Sequence, residues 1–185
     1  MGKLPKARRT IIVVTLSVAA AISAGCGLIG IGNPTIPLAS LSAQDQAFAL
    51  TSAGTGLYEL AVSQLALERA IDPRVKAYAQ MLVEHHAQTN RELAKLMAQR
   101  GLSPPPSIPA DKQARIRQLS GIGGAAFDRL YLRAVGMDDH TLDIALFDRQ
   151  SRDGKDPGLR DWATRTLPML RDHLQAAESL HANLR

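Results

Sequence analysis

The sequence predicts an all-α protein, a four-helix bundle behind an N-terminal signal or anchor segment. After residue 42, apolar residues recur at the three- and four-residue spacing of amphipathic helices. Hydrophobic residues make up 45% of the chain but aromatic residues only 4%, and such a composition suits helices that pack closely. No segment alternates polar and apolar residues with period two, so we expect no strands.

Residues 1–26 have the pattern of an export signal: a basic start, the uncharged run "IIVVTLSVAAAISAG", and small residues around Cys26. Three outcomes are open. Cys26 is lipidated, since "SAGC" resembles a bacterial lipobox, although Ser23 stands where an aliphatic residue is expected. A peptidase cuts near "PLASLSA". Alternatively, nothing cuts, and the run from Ile11 to Gly32 anchors the chain in a bilayer.

Each of these outcomes places the body outside the cytoplasm, so we expect a periplasmic protein tethered to the inner or outer membrane by its N-terminal segment or a lipid. Cys26 is the only cysteine, and a body without thiols fits that compartment. The net charge of +5 comes mostly from the leader, since the body carries 18 basic and 17 acidic residues. We therefore expect no nucleic-acid binding.

Residues 27–41 are rich in Gly and Pro and predict a flexible tether, so the bundle domain spans residues 42–183. The capping box "SAQD" starts the first helix at Ser42, and the helix runs to about Ala70. Its predicted inner face carries Phe48, Thr55, Glu59, Val62 and Ala66.

Asp72 and Pro73 are a good N-cap and first residue for the second helix, which ends near Arg100 and Gly101. Its predicted inner face carries Val75, Tyr78, Ala79, Leu82, His86, Leu93 and Met97. The proline-rich stretch "LSPPPSIPA" then predicts an extended crossover.

The third helix is predicted in two pieces, about Ala110–Leu119 and Ala125–Ser151, which "SGIGG" separates. The inner face of the longer piece is predicted to carry Phe127, Leu130, Tyr131, Ala134, Thr141 and Ala145. The fourth helix starts at Asp156 and Pro157 and runs to about Asn183, with Leu159, Trp162, Leu170, His173, Ala177 and Leu180 inward. Pro168 should kink this helix, either to wrap it over the core or to position His173.

The starts of the second and fourth helices are similar. Both "DPRVKAYAQML" and "DPGLRDWATRT" have an Asp-Pro cap, then an aliphatic residue, a base, an aromatic residue and Ala at matching offsets. Two helix pairs with similar second members predict a bundle with pseudo-twofold character.

Each predicted helix directs an ionisable, metal-competent side chain inward, and a buried carboxylate needs a partner. One interpretation is a mononuclear zinc, iron or copper site. The other is a buried hydrogen-bonded network that fixes helix register. The spacing needed for a diiron site, Glu-x-x-His, does not occur. The candidate ligands are Glu59, His86, His140 and His173, with His85 secondary; His181 receives no role.

Four motifs resemble the bacterial domain-of-unknown-function 4142 family: "GLYELAVSQLALERAIDP", "YAQMLVEHHAQTNREL", "GAAFDRLYL" with the later His140, and "LPMLRDHL". The resemblance implies a ferritin-like fold and export, and it implies no established activity. The family's recurrent positions fall on Glu59, His86, Asp128, Tyr131, His140, Pro168 and His173. The family usually has Asp before the second-helix His, whereas this chain has His85.

The sequence thus favours an exported, membrane-tethered envelope protein without enzymatic activity. Its expected role is that of a stress-related or metal-binding module. The alternatives are a metal-dependent oxidoreductase or metal-storage protein of ferritin-like type, and a scaffold that associates with itself through its surface.

Overall fold

The computed structural model describes residues 41–184, and all regular structure in this range is helical, which confirms the all-α class. The predicted leader with Cys26, and the predicted tether up to residue 40, lie outside the described residues. The elements are α1 (Ala43–Arg69), α2 (Pro73–Ala98), α3 (Ala110–Ser120), α4 (Gly124–Tyr131), a π-helix (Leu132–Asp139), α5 (His140–Asp153) and α6 (Pro157–Ala182).

Four long helical rods form the bundle: α1, α2, the continuous rod of α4, π-helix and α5, and α6. Helix α1 packs along α2, α5 packs along α6, and α6 also contacts the π-helix and α2. The short α3 packs against α1 and α4. The predicted four-helix bundle is confirmed. Between residues 41 and 184, no helix is both long enough and apolar enough to span a membrane.

The predicted helix starts are confirmed by their caps. The Asp45 backbone N–H donates to Ser42 Oγ at 3.1 Å, and Asp72 and Asp156 each accept a backbone N–H two or three residues further on. These bonds satisfy donors that have no partner within the helix. At the other end of α2, Gly101 has φ of +69°, a left-handed conformation that favours glycine.

The predicted inner face of α2 is confirmed in full, since its seven predicted residues are the buried residues of that helix. In the third rod the prediction is wrong after His140: Thr141 and Ala145 are exposed, and Asp143 and Phe147 are buried instead. The π-helix causes this difference. Its wider turn shifts the inward-facing positions, whereas the prediction assumed an unbroken α-helical period.

The core consists of two apolar clusters. One contains Tyr58, Val62, Tyr78, Leu82, Phe127, Tyr131, Val135 and Ala177; the other contains Phe48, Leu93, Met97, Phe147, Leu159, Trp162 and Leu170. Along every rod, a buried ionisable residue lies between members of the two clusters. We call these residues the polar layer: Glu59, His86, His140, Asp143 and His173.

Candidate metal centre

Three histidines of the polar layer converge, each from a different rod. One ring nitrogen from each of His86 on α2, His140 on α5 and His173 on α6 lies within 4.8 Å of the other two. All three side chains are buried. The sequence predicted these three as inward-facing candidates, and the structure brings them together.

His86 contributes a nitrogen that has no partner among residues 41–184. Its Nε2 is buried and has no hydrogen bond to any residue in the described range. A cavity of about 20 Å³ adjoins the ring, and its lining includes Ser52, Asp143 and Trp162. Ser52 Oγ and Trp162 Nε1 are likewise buried without partners among the described residues. The space suits one water molecule or one small ligand atom with polar neighbours.

The π-helix positions His140. Its Nδ1 lies 2.9 Å from the Val135 carbonyl oxygen, inside the π-helix, and its Nε2 lies 3.1 Å from His173 Nδ1. The sequence predicted His140 as an inward-facing candidate, and the structure buries it completely. No propensity or spacing pattern indicated the π-helix that precedes it.

His173 contacts imidazoles on both sides. Its Nε2 lies 2.7 Å from His85 Nδ1, and the His85 and His173 rings stack with centroids 5.0 Å apart. Tyr78 donates its hydroxyl to the His173 backbone carbonyl at 3.2 Å. His85, the secondary candidate, is half-buried and reaches the cluster through His173.

The three buried imidazoles favour their neutral forms. Burial lowers the pKa of His86 well below its usual value, and neighbouring imidazoles lower it further. Burial lowers the pKa of His173 to about 3, with further effects of His140 and His85. Burial also lowers the pKa of His140, although the Val135 hydrogen bond and Asp139 oppose this shift. Neutral imidazole is the form that binds a metal.

Glu59 is buried in the polar layer but is not a member of the group whose ligand atoms lie within 4.8 Å of one another. Neither carboxyl oxygen has a hydrogen-bond partner in residues 41–184. Burial raises the pKa of Glu59 well above its usual value, repulsion from Asp143 and Asp139 raises it further, and Lys112 opposes the rise. Within the described residues Glu59 therefore takes no part in the predicted hydrogen-bonded network, whereas His85, His140 and His173 do form one.

Sequence reasoning missed the other acidic residues of the site. Asp139 accepts the Tyr58 hydroxyl at 2.8 Å and forms an ion pair of 2.6 Å with Lys112 of α3. Burial raises the pKa of Asp143 to about 7, and Asp139 adds to the rise while Lys112 opposes it. If residues 132–139 are treated as regular α-helix, Asp143 is predicted on the outer face of the rod. Only knowledge of the π-helix could have identified Asp143 as buried.

Comparison with known proteins gives a family and a fold. A family model described as "Domain of unknown function (DUF4142)" matches residues 34–180. The chain is similar to the crystal structure of a DUF305 fragment from Deinococcus radiodurans, with a TM-score of 0.65 and 18% identity. That alignment covers 78% of this chain and 99% of the fragment, and at this identity it shows the fold alone. No curated protein matches the chain.

Proposed function

The chain belongs to the DUF4142 family, and because that description assigns no activity, we propose a function from the candidate metal centre. The domain binds one first-row transition-metal ion, zinc or copper, through His86, His140 and His173. The observation that carries the proposal is the His86 ring: it places one nitrogen within 4.8 Å of ring nitrogens of the other two, and its buried Nε2 has no partner among residues 41–184.

The donor set fits such an ion. Zinc–nitrogen bonds are about 2.0–2.1 Å, so two ligand nitrogens on tetrahedral zinc are roughly 3.3 Å apart. His140 Nε2 and His173 Nδ1 are 3.1 Å apart, close to that spacing. The His86 ring places a nitrogen within 4.8 Å of a ring nitrogen of each of the other two. Three neutral imidazoles suit zinc or copper, and the absence of a carboxylate from the group makes iron a poorer choice.

The cavity next to His86 supports a binding or storage role over an enzymatic one. At about 20 Å³ it accepts a water or a single small ligand, whereas organic substrates need pockets of roughly 300 Å³ or more. A metal with three protein ligands could complete its coordination with a molecule of that size. A metal-dependent oxidoreductase, the alternative function, would require a substrate small enough for this cavity of about 20 Å³.

Location is part of the proposal. The basic and apolar N-terminal residues support export and tethering to the envelope, either by the uncut segment or by lipid on Cys26. A palmitate analogue should label the chain, and Cys26→Ser should remove all label. If the N-terminal segment is cleaved off and the remaining chain carries no palmitate label, the proposed membrane tether is wrong.

The metal proposal is tested on the chain purified without a polyhistidine tag. We expect one equivalent of zinc or copper by metal analysis. A free metal concentration 100 times Kd should raise stability by about 2.7 kcal/mol, which raises the Tm by roughly 5–10 °C. His86→Ala and His173→Ala should each abolish this rise.

The matched control is His181→Ala, which removes a half-buried histidine near the end of α6 and should leave metal binding unchanged. Circular dichroism of each variant separates loss of the site from loss of the fold. A folded parent protein that retains no first-row metal, and whose Tm no such metal raises, would overturn the proposal.

A further inference from the structure

A continuous series of hydrogen bonds runs from the core to the surface through three imidazoles. It connects the Val135 carbonyl, His140, His173 and His85, with separations of 2.9, 3.1 and 2.7 Å. The outer member, His85, lines a surface groove between α2 and α6 beside Glu92 and Arg165. His85 is therefore the only one of these imidazoles that meets solvent as well as the cluster.

The Val135 carbonyl sets the direction of every bond in this series, because a carbonyl can only accept. His140 Nδ1 must donate to it, so His140 Nε2 carries a lone pair and accepts from His173 Nδ1. His173 Nε2 then accepts from His85 Nδ1. In the metal-free protein all three imidazoles are consequently Nδ1–H tautomers, an assignment that follows from bonding and not from visible hydrogens.

This arrangement occupies both nitrogens of His173. Its Nδ1 carries a proton, and the lone pair of its Nε2 is used by His85. His173 can bind a metal next to His140 only through Nδ1, which must first lose that proton. The Nε2 nitrogen then carries the proton and needs an acceptor, and the nearest atom is His85 Nδ1 at 2.7 Å.

We propose that His85 is a positioning residue for the metal centre and that metal binding reverses the His85–His173 hydrogen bond. This inference rests on the proposed function. The His173 Nδ1 proton leaves to solvent, the His85 Nδ1 proton moves to His173 Nε2, and His85 Nε2 takes a proton from water. One proton leaves and one enters, so the imidazoles remain neutral. His140 keeps its tautomer.

The choice of residue at position 85 then sets metal affinity. A carboxylate can only accept, so it would hold His173 permanently as the Nε2–H tautomer with Nδ1 free for a metal. An imidazole donates in the metal-free state and must switch. His85 thus stabilises the empty cluster through a bond that the metal has to reverse, and affinity is lower than a carboxylate would give.

The experiment uses zinc, which is diamagnetic, and the full chain without a polyhistidine tag. Nitrogen-15 NMR should show Nδ1–H tautomers for His85, His140 and His173 without zinc. With zinc, His85 and His173 should change to Nε2–H and His140 should not. His85→Asp places a residue that can only accept opposite His173 Nε2, so it should bind zinc about 10- to 100-fold more tightly than the parent.

Gln88→Ala is the matched control, since it removes an exposed side chain one turn from His85 on α2 and should not change affinity. If zinc binds but His85→Asp binds it no more tightly than the parent, or the tautomers of His85 and His173 do not change, this inference is overturned and the proposed function stands. If the folded parent protein binds no zinc or copper at all, both are overturned.

Discussion

Burial shifts the ionisable groups of the polar layer towards their neutral forms, in opposite directions for bases and acids. It lowers the pKa of His86, His140 and His173 and raises that of Glu59 and Asp143. The histidines therefore stabilise the folded state above pH 6.5, and this contribution is lost as pH falls towards the folded pKa. The carboxyls act oppositely, because their contribution is lost as pH rises through their raised pKa.

Asp143→Asn should stabilise the metal-free protein at high pH. The pKa of Asp143 is 3.8 when unfolded and about 7 when folded, so ionising this buried carboxyl costs the native state free energy above pH 7. We expect a gain of roughly 2–4 kcal/mol at pH 8 that shrinks as pH falls from 7 to 4. Urea unfolding at pH 8, 6 and 4.5 measures it.

Asp138→Asn is the control, because Asp138 is exposed and should not change the unfolding free energy by more than about 0.5 kcal/mol. Glu59→Gln should act in the same direction as Asp143→Asn, since Glu59 has no hydrogen bond to a described residue that the amide would lose. A less stable Asp143→Asn variant at pH 8 would mean that the ionised carboxylate has a stabilising partner.

At the scale of elements, the π-helix brings the third rod against two neighbours. A Cβ built on Gly136 would lie 2.5 Å from Ala177 Cβ on α6 and 3.1 Å from the Tyr78 hydroxyl on α2. Only a residue without a side chain allows this approach. The same π-helix carries the Val135 carbonyl that accepts the hydrogen bond of His140, so the close packing and the position of His140 depend on one irregular element.

Gly136→Ala should destabilise the protein by roughly 1–3 kcal/mol, because α6 or Tyr78 must move to admit the methyl group. Adding Ala177→Gly should recover part of that loss, since it removes the nearest atom. Gly121→Ala is the control: its Cβ would meet the Gln118 and Arg117 carbonyls at 3.6 and 3.9 Å, which are ordinary contacts. Thermal unfolding of the four proteins tests this, and an unaffected Gly136→Ala would show that the contact is soft.

Most of the fold could be predicted from the sequence, because buried positions in a regular α-helix recur about every 3.6 residues. The buried face of α2 and the capped starts at Ser42, Asp72 and Asp156 follow from that period and from local hydrogen bonding. The π-helix could not be predicted, because no local sequence pattern marks it, and the close approach of Gly136 to Ala177 and Tyr78 is a tertiary contact. The His85–His173 contact was missed for a similar reason, since adjacent histidines on one helix do not reveal which ring reaches a partner on α6.

Across the whole molecule, the pseudo-twofold relation extends from the helix starts to the carboxylates that hold them. Asp128 on α4 accepts the backbone N–H groups of residues 71 and 72, at the start of α2. Asp45 on α1 accepts those of residues 155 and 156, at the start of α6. Each half of the bundle thus fixes the Asp-Pro cap of the other half, and the two anchors lie at opposite ends of α1.

Removing either anchor should destabilise the bundle. Asp45→Ala and Asp128→Ala each leave two backbone N–H groups without their acceptor, so each should cost roughly 2–4 kcal/mol in urea unfolding. The anchors are separated by almost the length of α1, roughly 39 Å at 1.5 Å per residue, so the double variant should be additive to about 0.5 kcal/mol. Exposed Asp161→Ala should change little. A double variant that loses much less than the two single losses together would instead mean that one cap fails as soon as the other is removed, and that the two halves are coupled along the whole bundle.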